Sequence, residues 1–325
     1  MANSETEFAP AEAFLAAYQH WFGPSTFLRR PHRPDFSETD IGIVGFLHGG
    51  GNPVEHVQYL GPRYVRNRSM AYARVPREYG VDPFAIARIS DLGDVPIPRA
   101  LHPDGVAEDA QAHYERIYRA GIIPVTVGGD HSITLPIMRA ARRARYDAPL
   151  SVVHFDSHTD TFPPAFGIVH HAGGFRMAVE QDIIDPAHTV QVGIRGPVGD
   201  LKMDEWSRDH VAGLFTTEDV LAQGTEAVSA RIRAIVGDHP TYLSFDLDVI
   251  DPMDAPAVAD PEIDGLRIRE VMQLVRGLRG LNLTGADIVC YCPLYDTPAQ
   301  ITGITASCLL LHFVTLIAER LKGRG

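Results

Sequence analysis

The chain has 325 residues, of which 45% are apolar and 22% charged, and a formal net charge of −12. This is a globular composition, too apolar for disorder and long enough for one large domain or two small ones. The acidic balance and the lack of a Lys/Arg block argue against nucleic acid or an anionic membrane as the main partner, and favour a small, cationic ligand.

The opening "MANSETEFAPAEAFLAAYQHWF" lacks the basic-then-apolar order of a signal peptide, and three cysteines are too few for a disulfide framework. A cytoplasmic location is therefore expected. Residues 1–36, which contain Pro10, Pro24, Pro31 and Pro34, are expected to form an N-terminal arm with a short helix, and residues 37–325 a single catalytic domain. Short runs rich in β-branched residues then follow: "IGIVGF" at 41–46, "IIPVTVGG" at 122–129, "LSVVHFD" at 150–156, "TVQVGIRG" at 189–196, "TYLSFDLD" at 241–248 and "GADIVCYC" at 285–292. Continuous apolar runs of this length predict strands buried on both faces, as in a parallel sheet. Helical patterns lie between and after them, following residue 131 and from about residues 226, 267 and 305. The alternation predicts an α/β layered fold with right-handed crossovers. The longest apolar run, "ASCLLLHFVTLIAERL", is short of a membrane span and contains His312 and Glu319, so a packed helix is expected there.

In open α/β sheets, ligands bind beyond the carboxyl ends of the strands. Three of the runs end in residues able to hold metal: "VTVGGDHS" in Asp130 and His131, "VVHFDSHTDTF" in Asp156, His158 and Asp160, and "YLSFDLDVIDP" in Asp246 and Asp248, followed by Asp251. If the strands continue, the i, i+2, i+4 spacing puts Asp156, His158 and Asp160 on one side, and Asp246 and Asp248 repeat it. "GGDHS" alone could equally be a turn with Asp130 or Ser132 as a helix cap. Four carboxylates converging with two imidazoles would be costly to bury without cations. This donor set suits Mn²⁺ or Ni²⁺, with Co²⁺ or Fe²⁺ acceptable and Zn²⁺ less suited. Six ligands are too many for one open ion, whereas two ions bridged by Asp156 and Asp246 account for them.

"GGDHS", "FDSHTD" and "SFDLDVIDP", in this order and spacing, resemble the three signature motifs of the ureohydrolase (arginase/agmatinase) family over roughly residues 40 to 320. "YLGPRYVR", "VQVGIRG" and "HHAGGFRMAVE" resemble segments of its agmatinase branch. The resemblance implies a three-layer α/β/α sandwich on a mainly parallel sheet, assembled as a homotrimer or homohexamer, or with a paralogous subunit. It implies one metal on His131, Asp156, Asp160 and Asp246, and a second on Asp156, His158, Asp246 and Asp248. It also implies hydrolysis of a guanidine-type carbon, with Asp160 orienting the attacking hydroxide and His171 assisting proton transfer to the departing amine. His170, its neighbour, is a candidate lining residue.

The strand "ADIVCYCPLYD" departs from that pattern, because members that hydrolyse guanidinium compounds carry a substrate-gripping glutamate where this chain has Cys290. A thiol cannot fork two charged hydrogen bonds onto a guanidinium. Cys292 is expected to alternate into the core, and Cys-x-Cys is tight for a disulfide. Asp260 also departs from the pattern, standing where a threonine is common. Three functions are open: cleavage of an N-alkylated guanidine or a biguanide such as metformin, ordinary agmatine or guanidino-acid hydrolysis with Asp260, Glu262 or Asp264 replacing the lost carboxylate, and a non-catalytic subunit of a mixed oligomer.

Overall fold

The structure is a computed structural model that describes residues 23–322, apart from residues 56, 164–168, 201 and 203. Residues 1–22 of the expected arm lie outside it. From Phe27 onward the chain is already packed: Phe27 and Leu28 are fully buried, and the Phe27 backbone N–H donates to Asp91.

Eight parallel strands form one sheet: β1 (Ile41–Gly45), β2 (Ile89–Asp94), β3 (Ile123–Val127), β4 (Leu150–Phe155), β5 (Ile184–Ile194), β6 (Gly213–Thr216), β7 (Thr241–Asp246) and β8 (Leu283–Val289). Their order is β2-β1-β3-β8-β7-β4-β5-β6. Strands β1, β3, β4, β7 and β8 are buried along their whole length, because helices cover both faces and leave no solvent side on which to alternate. The predicted runs are all strands. The two that their sequence did not announce, β2 and β6, are the edges of the sheet.

The apolar C-terminal run is the helix Ile301–Lys322, buried from Leu309 through Ala318 against β8 and the helix Gly61–Ser69. Its length and hydropathy alone would suit a membrane span, but most of its apolar surface is taken up by the core. His312 sits inside that packing, with Nδ1 2.9 Å from the Tyr79 hydroxyl.

The strand order positions the site. Strands β3, β8, β7 and β4 are contiguous at the centre of the sheet, and the three acidic motifs leave the carboxyl ends of β3, β4 and β7. Consecutive strands β3 and β4 are separated by β8 and β7, and this break opens the crevice in which ligands of such sheets bind.

Candidate metal centre and its cavity

The strands stop sooner than the alternation argument assumed. β4 ends at Phe155 and β7 at Asp246, so Asp160 and Asp248 stand on turns. Asp160 adopts φ 48°, a left-handed conformation that aspartate tolerates better than most residues. The predicted residues still converge, through turns that their own carboxylates hold. Asp156 Oδ1 accepts the His158 backbone N–H at 2.6 Å, and Asp246 Oδ1 accepts that of Asp248 at 2.9 Å. Asp130 is a cap, as the turn reading of "GGDHS" allowed: it accepts N–H groups from Ser132 and Gly51 and stays off the cluster. Gly129 beside it must lack a side chain, since a Cβ there would collide with the His48 carbonyl.

Two groups of ligand atoms result. His131 Nδ1 lies 3.0 Å from Asp156 Oδ2, 3.1 Å from Asp160 Oδ2 and 3.3 Å from Asp246 Oδ2. His158 Nδ1 lies 3.1 Å from Asp248 Oδ2 and 3.4 Å from Asp156 Oδ1. Neighbouring ligands of one ion with bonds of about 2.1 Å stand roughly 3.0–3.4 Å apart. Asp156 therefore offers one oxygen to each group, as the bridging role requires.

One buried atom tests whether cations fit here. Asp287, fully buried on β8, accepts hydrogen bonds from Thr134, Tyr242 and Ser244 and a weaker one from the Phe245 N–H. Ser244 spends its only proton on Asp287, so its oxygen must accept from His131 Nε2 at 2.8 Å. In a neutral His131 this leaves Nδ1 as a bare lone pair, without a hydrogen-bond partner, aimed at three carboxylate oxygens. That arrangement repels unless a cation or a proton lies in the middle. Burial resists protonation, but Asp156, Asp160 and Asp246 push the His131 pKa well up. Burial and the neighbouring carboxylates push Asp246 well up as well, and Asp248 up to about 6. His158 is driven upward by Asp248 and Asp156 against burial. The cluster thus holds more negative charge than it can carry alone, which two divalent ions would neutralise.

A pH dependence follows. A group whose pKa is higher in the folded than in the unfolded chain stabilises the fold while protonated, and that contribution is lost as pH rises through the folded value. Asp248, Asp246, His131 and His158 all have this sign. Asp156, held low by its imidazole neighbours against burial, has the opposite sign: its contribution is present throughout this range and is lost only as pH falls into the acid range. Protein stripped with EDTA is expected to lose thermal stability as pH rises from about 5 to 8, whereas metal-loaded protein should not. The difference in melting temperature between the two should widen with pH, and a constant difference would count against ligation by these residues.

Above the cluster opens a cavity of about 560 Å³, lined by His158, Asp160, Phe162, His170, His171, Arg195, Asp204, Asp260 and Glu262 among others. His171 Nδ1 is 2.8 Å from the Gly51 carbonyl and must donate to it, which leaves Nε2 as the free nitrogen. Asp260 accepts from Asn52 Nδ2 at 2.7 Å, and Glu262 lies 4.0 Å from His158 Nε2. Asp264 is not part of the wall.

Arg195 is the only Lys or Arg among the described lining residues, and all its donors are engaged by backbone carbonyls. Nε reaches Ile263, Nη1 reaches Gly193 and Val249, and Nη2 reaches Asp248 and Glu262. It clamps the 248–263 loop onto the end of β5 and has nothing left for a ligand. Cys290 does not line the cavity: it is 5% exposed and in a left-handed conformation (φ 67°), directly after the β8 residue that pairs with Asp246 of β7. Burial, with Asp246 and Asp248, keeps it a thiol. Cys292 lies in the core, its thiol directed at the Cys290 carbonyl.

The motif resemblance is matched at the level of whole chains. A family model described as the arginase family matches residues 39–315. Guanidinopropionase of Pseudomonas aeruginosa is 38% identical over 312 residues, covering 95% of this chain and 96% of its own length. Guanidinobutyrase of the same organism is 35% identical over 88% of this chain and 90% of its own. The solved structure of proclavaminate amidino hydrolase from Streptomyces clavuligerus superposes with a TM-score of 0.87 at 31% identity, covering 93% of this chain and 99% of that one. With the signature motifs, the parallel sheet and the paired ligand groups in place, the chain belongs to the arginase family of metal-dependent ureohydrolases.

Proposed function

We propose that this ureohydrolase uses two Mn²⁺ ions to cleave a C–N bond in a guanidine derivative without an acidic tail. An N-alkylated guanidine would give urea and an amine, and a biguanide such as metformin would give guanylurea and an amine. Mn²⁺ is favoured over Ni²⁺ because carboxylates dominate the donor set.

The charge of the cavity wall carries this reading. Guanidinopropionase and guanidinobutyrase bear the names of substrates with a carboxylate. Here the one arginine on the wall is fully occupied by carbonyls, while Asp204, Asp260 and Glu262 add negative charge. His170 is no substitute, since burial and His171 push its pKa down and keep it neutral. A substrate carboxylate would be desolvated against acids with no cation to meet it. The same acids would also suit a cationic tail of the agmatine type, which is the second reading.

Two cations held by His131, Asp156, His158, Asp160, Asp246 and Asp248 would supply hydroxide near neutral pH by lowering the pKa of a bound water. The remaining steps belong to the chain. Asp160, at the junction of cluster and cavity, is placed to orient that nucleophile toward a planar amidine carbon. His171, its Nδ1–H fixed on the Gly51 carbonyl, presents the Nε2 lone pair to the cavity, where it can take up a proton from water and pass it to the departing amine.

The test is an assay of urea, guanylurea and amine release by Mn²⁺-reconstituted protein on guanidinopropionate, guanidinobutyrate, agmatine, alkylguanidines and biguanides. Turnover of alkylguanidines or biguanides, with guanidino acids at least about 100-fold poorer in kcat/KM, is expected, because an unpaired buried carboxylate costs several kcal/mol. Preference for a guanidino acid would sink the proposal, agmatine turnover would select the second reading, and metal binding without turnover would point to a partner subunit.

A further inference from the structure

His154 precedes Asp156 by two residues on β4 and is fully buried. Its Nε2 lies 2.8 Å from Asp156 Oδ2, and it falls within the same group of potential ligands as His131, Asp156 and Asp160. Residue type and position alone would make it a metal ligand. Its other ring nitrogen decides otherwise.

Gln191 Nε2 lies 2.6 Å from the Thr159 carbonyl, which can only accept, so that atom is the amide nitrogen. The same nitrogen is 3.0 Å from His154 Nδ1. An amide nitrogen does not accept, so its second hydrogen meets a lone pair on Nδ1. The ring proton is therefore on Nε2, where it is donated to Asp156 and leaves no lone pair for an ion. Phe175 stacks on the ring, centroids 3.9 Å apart and planes 29° apart, and fixes its orientation.

We infer that His154 is a positioning residue for the bridging carboxylate, its tautomer set by Gln191, an inference that rests on the dinuclear reading above. Asp156 then receives one hydrogen bond on each oxygen, from the His158 N–H on Oδ1 and from His154 on Oδ2, and each oxygen keeps a lone pair for one ion. Without the second bond the carboxylate is free to turn and chelate a single ion. The contact from Gln191 to Thr159 also couples this bond to the turn that carries Asp160. Outer partners of this kind typically change metal affinity 10–100-fold.

The experiment measures Mn²⁺ binding to stripped full-length protein by calorimetry, with the visible spectrum of the Co²⁺ form as a second readout. No substrate is involved, so the result is independent of which guanidine is cleaved. His154→Phe keeps a ring on Phe175 but removes the donor, and His154→Gln restores a donor at about the same reach. Expected are roughly 10–100-fold weaker binding and an altered Co²⁺ spectrum in His154→Phe, with recovery in His154→Gln and an unchanged melting temperature of the stripped protein. Gln191→Leu, which frees the tautomer, should fall between. Wild-type affinity and spectrum in His154→Phe, or equal impairment in the Phe and Gln variants, would overturn the assignment. Wild-type protein that binds no Mn²⁺ would remove the dinuclear reading and this proposal together.

Discussion

Asp156→Asn is expected to remove metal and activity together while leaving the fold intact. Asp156 turns one oxygen toward each ligand group, 3.0 Å from His131 Nδ1 on one side and 3.4 Å from His158 Nδ1 on the other. An amide of the same shape lowers the charge of both sites at once and turns an NH₂ toward a cation or a lone pair. Paired ions supply several kcal/mol of transition-state stabilisation, so kcat should fall at least about a thousandfold. Metal content by mass spectrometry should fall from near two per chain. The control that separates ligation from folding is the stripped protein. There the imidazole neighbours favour the ionised carboxylate, so the Asn variant should still unfold in one cooperative transition but melt somewhat below wild type at pH 8 in EDTA. Full turnover without bound metal would end the dinuclear account.

The centre of the fold was legible because its physics is repetitive. β3, β4, β7 and β8 are covered on both faces and so read as continuous apolar runs, with the acidic residues just past their ends. The edges were not legible. β6 has only four residues, and β2 carries Asp91 and Asp94, which look like loop residues until Arg66 folds back to bridge both. Alternation served the site only as far as the strands run. It fails beyond Phe155 and Val289, where Asp160 and Cys290 adopt left-handed conformations that no period describes. His154 was missed although alternation marks it: residues i and i+2 share a face, so it points the same way as Asp156. Its role depends on Gln191, 37 positions away, and that contact exists only in the folded sheet. The commitment of Arg195 is likewise invisible in sequence, where "VGIRG" offers a cation that the fold spends on carbonyls.

Cys290→Glu is expected to move specificity toward simple guanidinium compounds. Position 290 follows β8 directly, with β7 and its Asp246 alongside, and the present thiol is buried and absent from the cavity wall. The resemblance places a glutamate here in members that grip a guanidinium, and its carboxylate stands one methylene group farther from the backbone than the cysteine thiol. Two charge-assisted hydrogen bonds of about 1.5–3 kcal/mol each would raise kcat/KM for agmatine-like compounds by roughly 10² to 10⁴. The left-handed backbone adds no cost, because its strain acts on a Cβ that Cys290 already carries. One cost does oppose the gain. A further carboxylate beside Asp246 and Asp248 is tolerable only with cations bound, so the gain should appear in excess Mn²⁺ and vanish in stripped protein. Cys290→Gln supplies the length without the charge and separates the two effects. If Glu and Gln shift the ratio of agmatine to alkylguanidine turnover equally, size alone governs the site. If neither shifts it, recognition lies wholly on the wall formed by Asp204, Asp260 and Glu262, and the thiol serves only as packing.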